Sequence, residues 1–169
     1  GAPGGSGKPA PPSGPRDVKP TPTGRGVRDA ASGRMPAFVD TGLNIAHVDD
    51  VAEGHWLAYS KGVIGERYVL GGDDMSLKEI LAVIADITGR RAPKIQLPHA
   101  AVMPVAHAAE FLARFTGRAP VATVEEIRMS KKRMYFSCAK ARRELGYALR
   151  PARKALEDAV AWLRDNGYR

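Results

Sequence analysis

Leu77, Ile80, Leu81, Ile84 and Ile87 recur at intervals of three and four residues, the period of one buried face of a helix. Ser76-Leu-Lys-Glu79 opens that run as a capping box, in which the serine hydroxyl and the glutamate each satisfy an orphan amide. Thr88-Gly89 ends it. Leu156, Ala159, Val160 and Leu163 form a second stripe behind Pro151, a residue suited to a first helical position. Asp50-Val-Ala-Glu53 reads as another capping box, opening a helix to about Ser60 with Gly62 beyond it. Thr123-Val-Glu-Glu126 is a third. A long helix is expected from about Ala100 to Thr116, with Pro104 near its start and Gly117 as its stop. Ser137 is placed to cap a helix ending at Leu145-Gly146.

Strand signals are short. Arg67-Tyr-Val-Leu70 is closed by Gly71-Gly72, Lys94-Ile-Gln-Leu97 is stopped by Pro98, and Met134-Tyr-Phe136 is extended. Met35-Pro-Ala-Phe-Val-Asp40 and Leu43-Asn-Ile-Ala-His-Val48 flank Thr41-Gly42 and predict a hairpin. Residues 1–24 hold seven prolines and six glycines, a composition expected to carry no regular element. They read as a linker or as a loop separated from its scaffold, with the folded domain running from 25 to 169. The outcome is a helix-rich α/β domain with few strands to pair among themselves, which points to a sheet completed by a missing half.

Composition adds bounds. Hydrophobic residues make up 44% and charged residues 26%, ordinary for a globular domain. No window approaches the roughly eighteen apolar residues of a membrane span. The N-terminus has no apolar signal-peptide core, so a cytoplasmic location is expected, and the lone Cys138 fits a reducing compartment. The net charge of +8 invites a nucleic-acid partner, but the cations are scattered toward helix ends, without interleaved aromatics. No nucleic-acid partner is expected.

Three constellations tempt a chemical reading. Ala2-Pro-Gly-Gly-Ser-Gly-Lys8 imitates part of a phosphate loop, but Pro9 stands where a Ser or Thr should follow the lysine. His47 and Asp49 would share a strand face as metal ligands, yet further ligands at metal spacing are missing, and Asp50 is expected to cap a helix. No metal is expected. Cys138, beside Lys140 and Arg142, reads as a half-buried structural cysteine rather than a nucleophile.

The segments that carry a resemblance are Gly14-Pro-Arg-Asp-Val-Lys-Pro-Thr-Pro-Thr-Gly24, Gly33-Arg-Met-Pro-Ala-Phe-Val-Asp-Thr-Gly-Leu-Asn44 and His47-Val-Asp-Asp-Val-Ala-Glu-Gly-His55. Gly65-Glu-Arg-Tyr-Val-Leu-Gly-Gly72, Met134-Tyr-Phe-Ser137 and Leu145-Gly-Tyr147 extend it. Together they resemble the C-terminal half of an extended short-chain dehydrogenase/reductase of the NAD-dependent epimerase/dehydratase family. The branch they look most like is that of hopanoid-associated sugar epimerases and dihydroflavonol 4-reductase-like proteins. The family's glycine-rich cofactor turn and its Tyr-x-x-x-Lys pair are not found: position four after Tyr59, Tyr68, Tyr135 and Tyr147 is Val63, Gly72, Ala139 and Pro151.

The resemblance therefore implies the substrate-binding, helix-rich C-terminal portion of an extended Rossmann-type enzyme, without its N-terminal Rossmann half. It implies no catalytic residue in this chain, and NAD or NADP in the intact protein but not on this chain alone. By resemblance Pro9 and Ala10 lie near the nicotinamide, and Arg16, Lys19 and Thr23 face a sugar-like or nucleotide-linked substrate. Residues 1–8 look unlike the strand the family has there, and read as a foreign tail or a scrambled junction. The alternative is a non-catalytic binding or assembly module on the same fold. Faces meant for a missing half also imply self-association.

Overall fold

The computed structural model describes residues 4–19, 21–116 and 123–168. These residues form seven strands and seven helices: β1 (Ser6–Pro9), β2 (Pro12–Ser13), α1 (Pro22–Ala31), β3 (Ala37–Val39), β4 (Gly42–His47), α2 (Val48–Lys61), β5 (Arg67–Leu70), β6 (Asp73–Ser76), α3 (Leu77–Thr88), β7 (Ile95–Leu97), α4 (His99–Thr116), α5 (Val124–Ser130), α6 (Ala139–Leu145) and α7 (Ala152–Asp165). Among them no helix is long and apolar enough to cross a membrane.

The proline- and glycine-rich start is regular after all. β1 lies parallel to β5, in register from Ser6 opposite Arg67 to Pro9 opposite Leu70. Ser6 N–H donates to Glu66 O and Ala10 N–H to Leu70 O, so even-numbered amides face β5. The nitrogen of Pro9 therefore points away from the ladder and costs it no bond. Gly5 and Gly7 are required by close approach. A Cβ at Gly5 would stand 2.5 Å from the Tyr68 ring, and one at Gly7 2.9 Å from Leu70 Cδ1. The stretch that resembled no strand is a strand because its partner lies sixty residues on. Thr21 then caps α1 by accepting from Gly24 N–H at 3.1 Å, with Pro22 at the first position.

The hairpin does not form. β3 pairs in parallel with β7, while β4 lies between β2, parallel, and β6, antiparallel. The backbone at the would-be turn bonds outward, Thr41 O accepting from Leu77 N–H and Gly42 O from Met134 N–H. Met134 is the one residue of its extended segment that bridges β4, opposite Leu43.

Caps divide into those read locally and those not. Ser76 and Glu79 form the expected box, and Gly89 ends α3 at φ +67°. Asp50 does not cap α2. The cap is His47, whose Nδ1 accepts from Asp49 N–H, because α2 begins three residues earlier than expected. At α6 the cap position is Cys138, and Ser137 Oγ takes Ala139 N–H only at 3.4 Å. Val124 N–H goes to Glu110 Oε1, on α4. The Glu126 side chain and Gly117 lie outside the described residues.

Two apolar clusters carry the fold. In one, Leu156, Val160 and Leu163 of α7 meet Ile80 and Ile84 of α3 and Val27 of α1. In the other, Tyr68 and Leu70 of β5 pack with Ala141 and Leu145 of α6 and with Tyr147. Each such large side chain contributes about 1.5–3 kcal/mol when fully buried. A smaller cluster joins α4 and α5 through Ala106, Val124 and Ile127.

Between the clusters sits Asn44, wholly buried on β4. Its amide group reaches Asp74 Oδ1 at 2.7 Å and the carbonyls of Gly72 and Phe136 at 3.1 Å, while its oxygen accepts from Gly72 N–H at 2.7 Å. It ties β4, the turn after β5 and the segment before α6. Asn44→Ala leaves these groups unmet and should cost ~3 kcal/mol in chemical denaturation.

Tyr147 donates to Gly71 O at 3.0 Å from a buried site. Burial first, then the Asp50 carboxylate, pushes its phenol pKa upward. The folded state thus holds the proton more tightly than the unfolded one. That stability is full below about pH 10, the unfolded value, and is lost as pH rises beyond it. Tyr147→Phe should cost ~1 kcal/mol at neutral pH and flatten the alkaline decline measured by denaturation against pH.

Candidate functional site

The link from β1 to α1 crosses the carboxyl ends of β1 and β2, where open α/β sheets place their ligands. It borders a cavity of about 150 Å³ lined by Pro12, Ser13, Gly14, Arg16, Val48 and Leu163, among others. Gly14 has φ +151°, and a Cβ there would stand 2.7 Å from Val48 Cγ1. Two residues on, Arg16 has φ +71°, the sole non-glycine positive φ among the described residues. That conformation costs roughly 1–2 kcal/mol. Its guanidinium is tethered to Asp49 Oδ1 at 2.7 Å, although the side chain is 71% exposed. Asp17 anchors the end of the link by accepting from the backbone and the hydroxyl of Thr21.

The structure treats the expected site residues unequally. Arg16 lines the cavity. Lys19 is exposed and Thr23 half-buried on α1, and neither lines it; Thr21 and Gly24 do. Pro9 is exposed and Ala10 buried at the carboxyl end of β1, outside the cavity lining. Sequence reasoning missed Ser13. It is 6% exposed, it lines the cavity, and its buried hydroxyl has no hydrogen-bond partner among the described residues, an unmet donor and acceptor at the cavity wall. No local signal marks it; its burial comes from pairing with His47 across β2 and β4.

His47, opposite Ser13 across β2 and β4, is a buried polar corner. Its Nδ1 faces two donors, Asp49 N–H at 3.1 Å and the Arg150 guanidinium at 3.0 Å. It must therefore accept, which puts the proton on Nε2, donated to Asp158 Oδ2 at 3.1 Å. Lys154, hydrogen-bonded at 2.7 Å, holds the Asp158 carboxyl below the usual carboxylate range, and His47 adds to this. Asp50 accepts Arg150 N–H at 2.7 Å and pairs with its guanidinium at 2.9 Å. His47, Asp49 and Asp50 are thus bonded among themselves and to Arg16, Arg150 and Asp158. No group of three potential metal ligands converges among the described residues. Cys138 is buried.

A dinucleotide needs a tight glycine turn between a strand and a helix N-terminus to hold its pyrophosphate. Here β1 runs into β2 and no such turn lies among the described residues. The open carboxyl end of β1 at Pro9 and Ala10 fits only the rim of such a site.

No protein-family model matches the sequence. A dihydroflavonol 4-reductase-like protein of Synechocystis sp. is 41% identical over 95% of this chain and 48% of its own length. Sterol demethylase protein B of Methylococcus capsulatus is 34% identical over 91% and 48%. Among solved structures, gox2253 superposes with a TM-score of 0.78 at 52% identity, covering 96% of this chain and 49% of that one. PA4631, a nucleoside-diphosphate-sugar epimerase from Pseudomonas aeruginosa, gives 0.73 at 30%, over 96% and 48%. The chain spans about half the length of the relatives it matches. By sequence and by fold the chain matches the C-terminal half of extended short-chain dehydrogenases/reductases of the NAD-dependent epimerase/dehydratase kind.

Proposed function

We propose that this chain is the substrate-binding part of an NAD(P)-dependent reductase or epimerase acting on a sugar-like or nucleotide-linked small molecule. The observation that carries the reading is the strained, tethered Arg16 beside the orphan hydroxyl of Ser13, at the carboxyl end of a parallel strand pair. Backbone strain of this kind collects at ligand sites, where the surroundings hold it in place. Arg16 presents a planar fork suited to phosphate or carboxylate, and Ser13 hydrogen-bonds a hydroxyl. The epimerase of P. aeruginosa and the Synechocystis relative supply the reaction classes.

The cofactor, when bound, takes and returns hydride; proteins of the same fold have been solved with NAD and with NADPH. Pro9 and Ala10 would border its nicotinamide, and the loop to Thr23, with Lys19, would orient the substrate and shield it from water. Acid/base chemistry comes from the family's Tyr and Lys, which this chain lacks.

The other half would join at β1. Even-numbered amides of β1 face β5, so Gly7 N–H points to the opposite edge, which pairs with no strand among the described residues. Gly5 N–H donates to Ala58 O, setting that edge beside the last turns of α2. There Trp56, Tyr59, Val63 and Ile64 are all more than half exposed, a surface suited to burial by another part of the protein.

Arg16→Ala in the full-length protein should raise KM for an acidic or nucleotide-linked substrate about tenfold, ~1.4 kcal/mol, and change kcat little. Steady-state nicotinamide absorbance kinetics on a panel of nucleoside-diphosphate sugars measures this. An unchanged KM, or full activity without NAD or NADP, would sink the reading.

A further inference from the structure

A second cavity, of about 540 Å³, opens between α3, β3, β7 and the link from α3 to β7, and shares no lining residue with the first. Its floor is Phe38 of β3, in register with Gln96 of β7. The small Ala82 and Ala92 leave it open, and Pro93 forms a rigid wall. Three cations surround it: Lys78, one helical turn before Ala82, with Arg91 and Lys94 on the link. All three are exposed, and none has an ion-pair partner among the described residues.

This is unlike Arg16, Arg133, Lys140, Arg150, Arg153 and Lys154, each of which has a carboxylate. The carboxylates of α3 are committed elsewhere. Glu79 bonds Ser76 in the capping box, and Asp86 pairs with Arg153 at 2.7 Å. A cleft rimmed by one sign of charge over an apolar floor concentrates anions with an apolar body. Its volume lies within the roughly 300–1,000 Å³ of small-molecule sites.

We propose that this cleft binds a phosphorylated small molecule, its phosphate held by Arg91, Lys94 and Lys78 and a flat apolar body laid against Phe38 and Pro93. Arg91 supplies a bidentate fork, and the two lysines complete the charge. The site is independent of the loop at Arg16 and needs no cofactor.

Calorimetric titration of the full-length protein with 1-naphthyl phosphate tests it, with 1-naphthol and inorganic pyrophosphate as probes of the two halves of the ligand. Naphthyl phosphate should bind, more tightly than either partial probe. The double variant Arg91→Glu/Lys94→Glu should weaken it at least ~10-fold, ~1.4 kcal/mol, and Arg16→Ala should leave it within twofold. The replaced side chains are exposed, so thermal melting should be unchanged; if it is not, Arg91→Gln/Lys94→Gln takes its place. Three results would overturn the proposal: no binding by the unaltered protein, equal binding of naphthol, or binding lost in Arg16→Ala and kept in the double variant.

Discussion

Two parallel strands cannot be joined by a tight turn and do not make a stable sheet by themselves. The pairing of β1 with β5 obeys the first constraint by a crossover that carries β2, α1, β3, β4 and α2. It meets the second only in part. One face is covered by α2 and α6 around Tyr68 and Leu70, and the outer edge of β1 pairs with no strand among the described residues. Much else follows from this arrangement. The crossover must leave β1 at its carboxyl end, so the link with Ser13, Gly14 and Arg16 lies where ligands of such sheets bind, and α2 is drawn alongside β1 with its aromatic residues facing outward.

The polar corner at His47 explains how an exposed link keeps a strained shape. Asp49 is tied to Arg16 on one side and, through its amide, to His47 on the other. His47 is in turn fixed by Arg150 and by Asp158 of α7. The loop conformation therefore rests on a buried imidazole with both ring nitrogens hydrogen-bonded, which favours a pre-set geometry. The same network binds His47 and Asp50 to Arg150 and Asp158, so each meets protein partners at this corner.

What was legible in the sequence is what is local. The Ser76–Glu79 box, the stripe on α7, the Arg67–Leu70 strand and the Gly89 stop depend on neighbours within one or two turns, and each stands where the pattern puts it. The resemblance gave the family, and the superpositions on gox2253 and PA4631 agree with it. The failures share another cause. β1 looked like a tail because its strand character comes from β5, and glycines that read as flexibility are instead clearance for Tyr68 and Leu70. The hairpin failed because β3 and β4 pair with β7 and β6, far along the chain, rather than with each other. Arg16, which lines the cavity, was named through the resemblance. Ser13 was not, since an orphan hydroxyl exists only once burial is known, and neither was the bond from His47 to Asp158, 111 residues apart.

The open edge of β1 is the feature on which the account of a half-enzyme turns, and amide hydrogen exchange at Gly7 reads it directly. The comparison is between this chain alone and the same chain placed behind the N-terminal half of gox2253. Gly7 N–H should exchange freely in the first and become strongly protected in the second, while Lys8 N–H, which faces β5, is protected in both. Equal exchange at Gly7 in the two would contradict the account, because β1 would then be an edge strand of a domain that needs no second half.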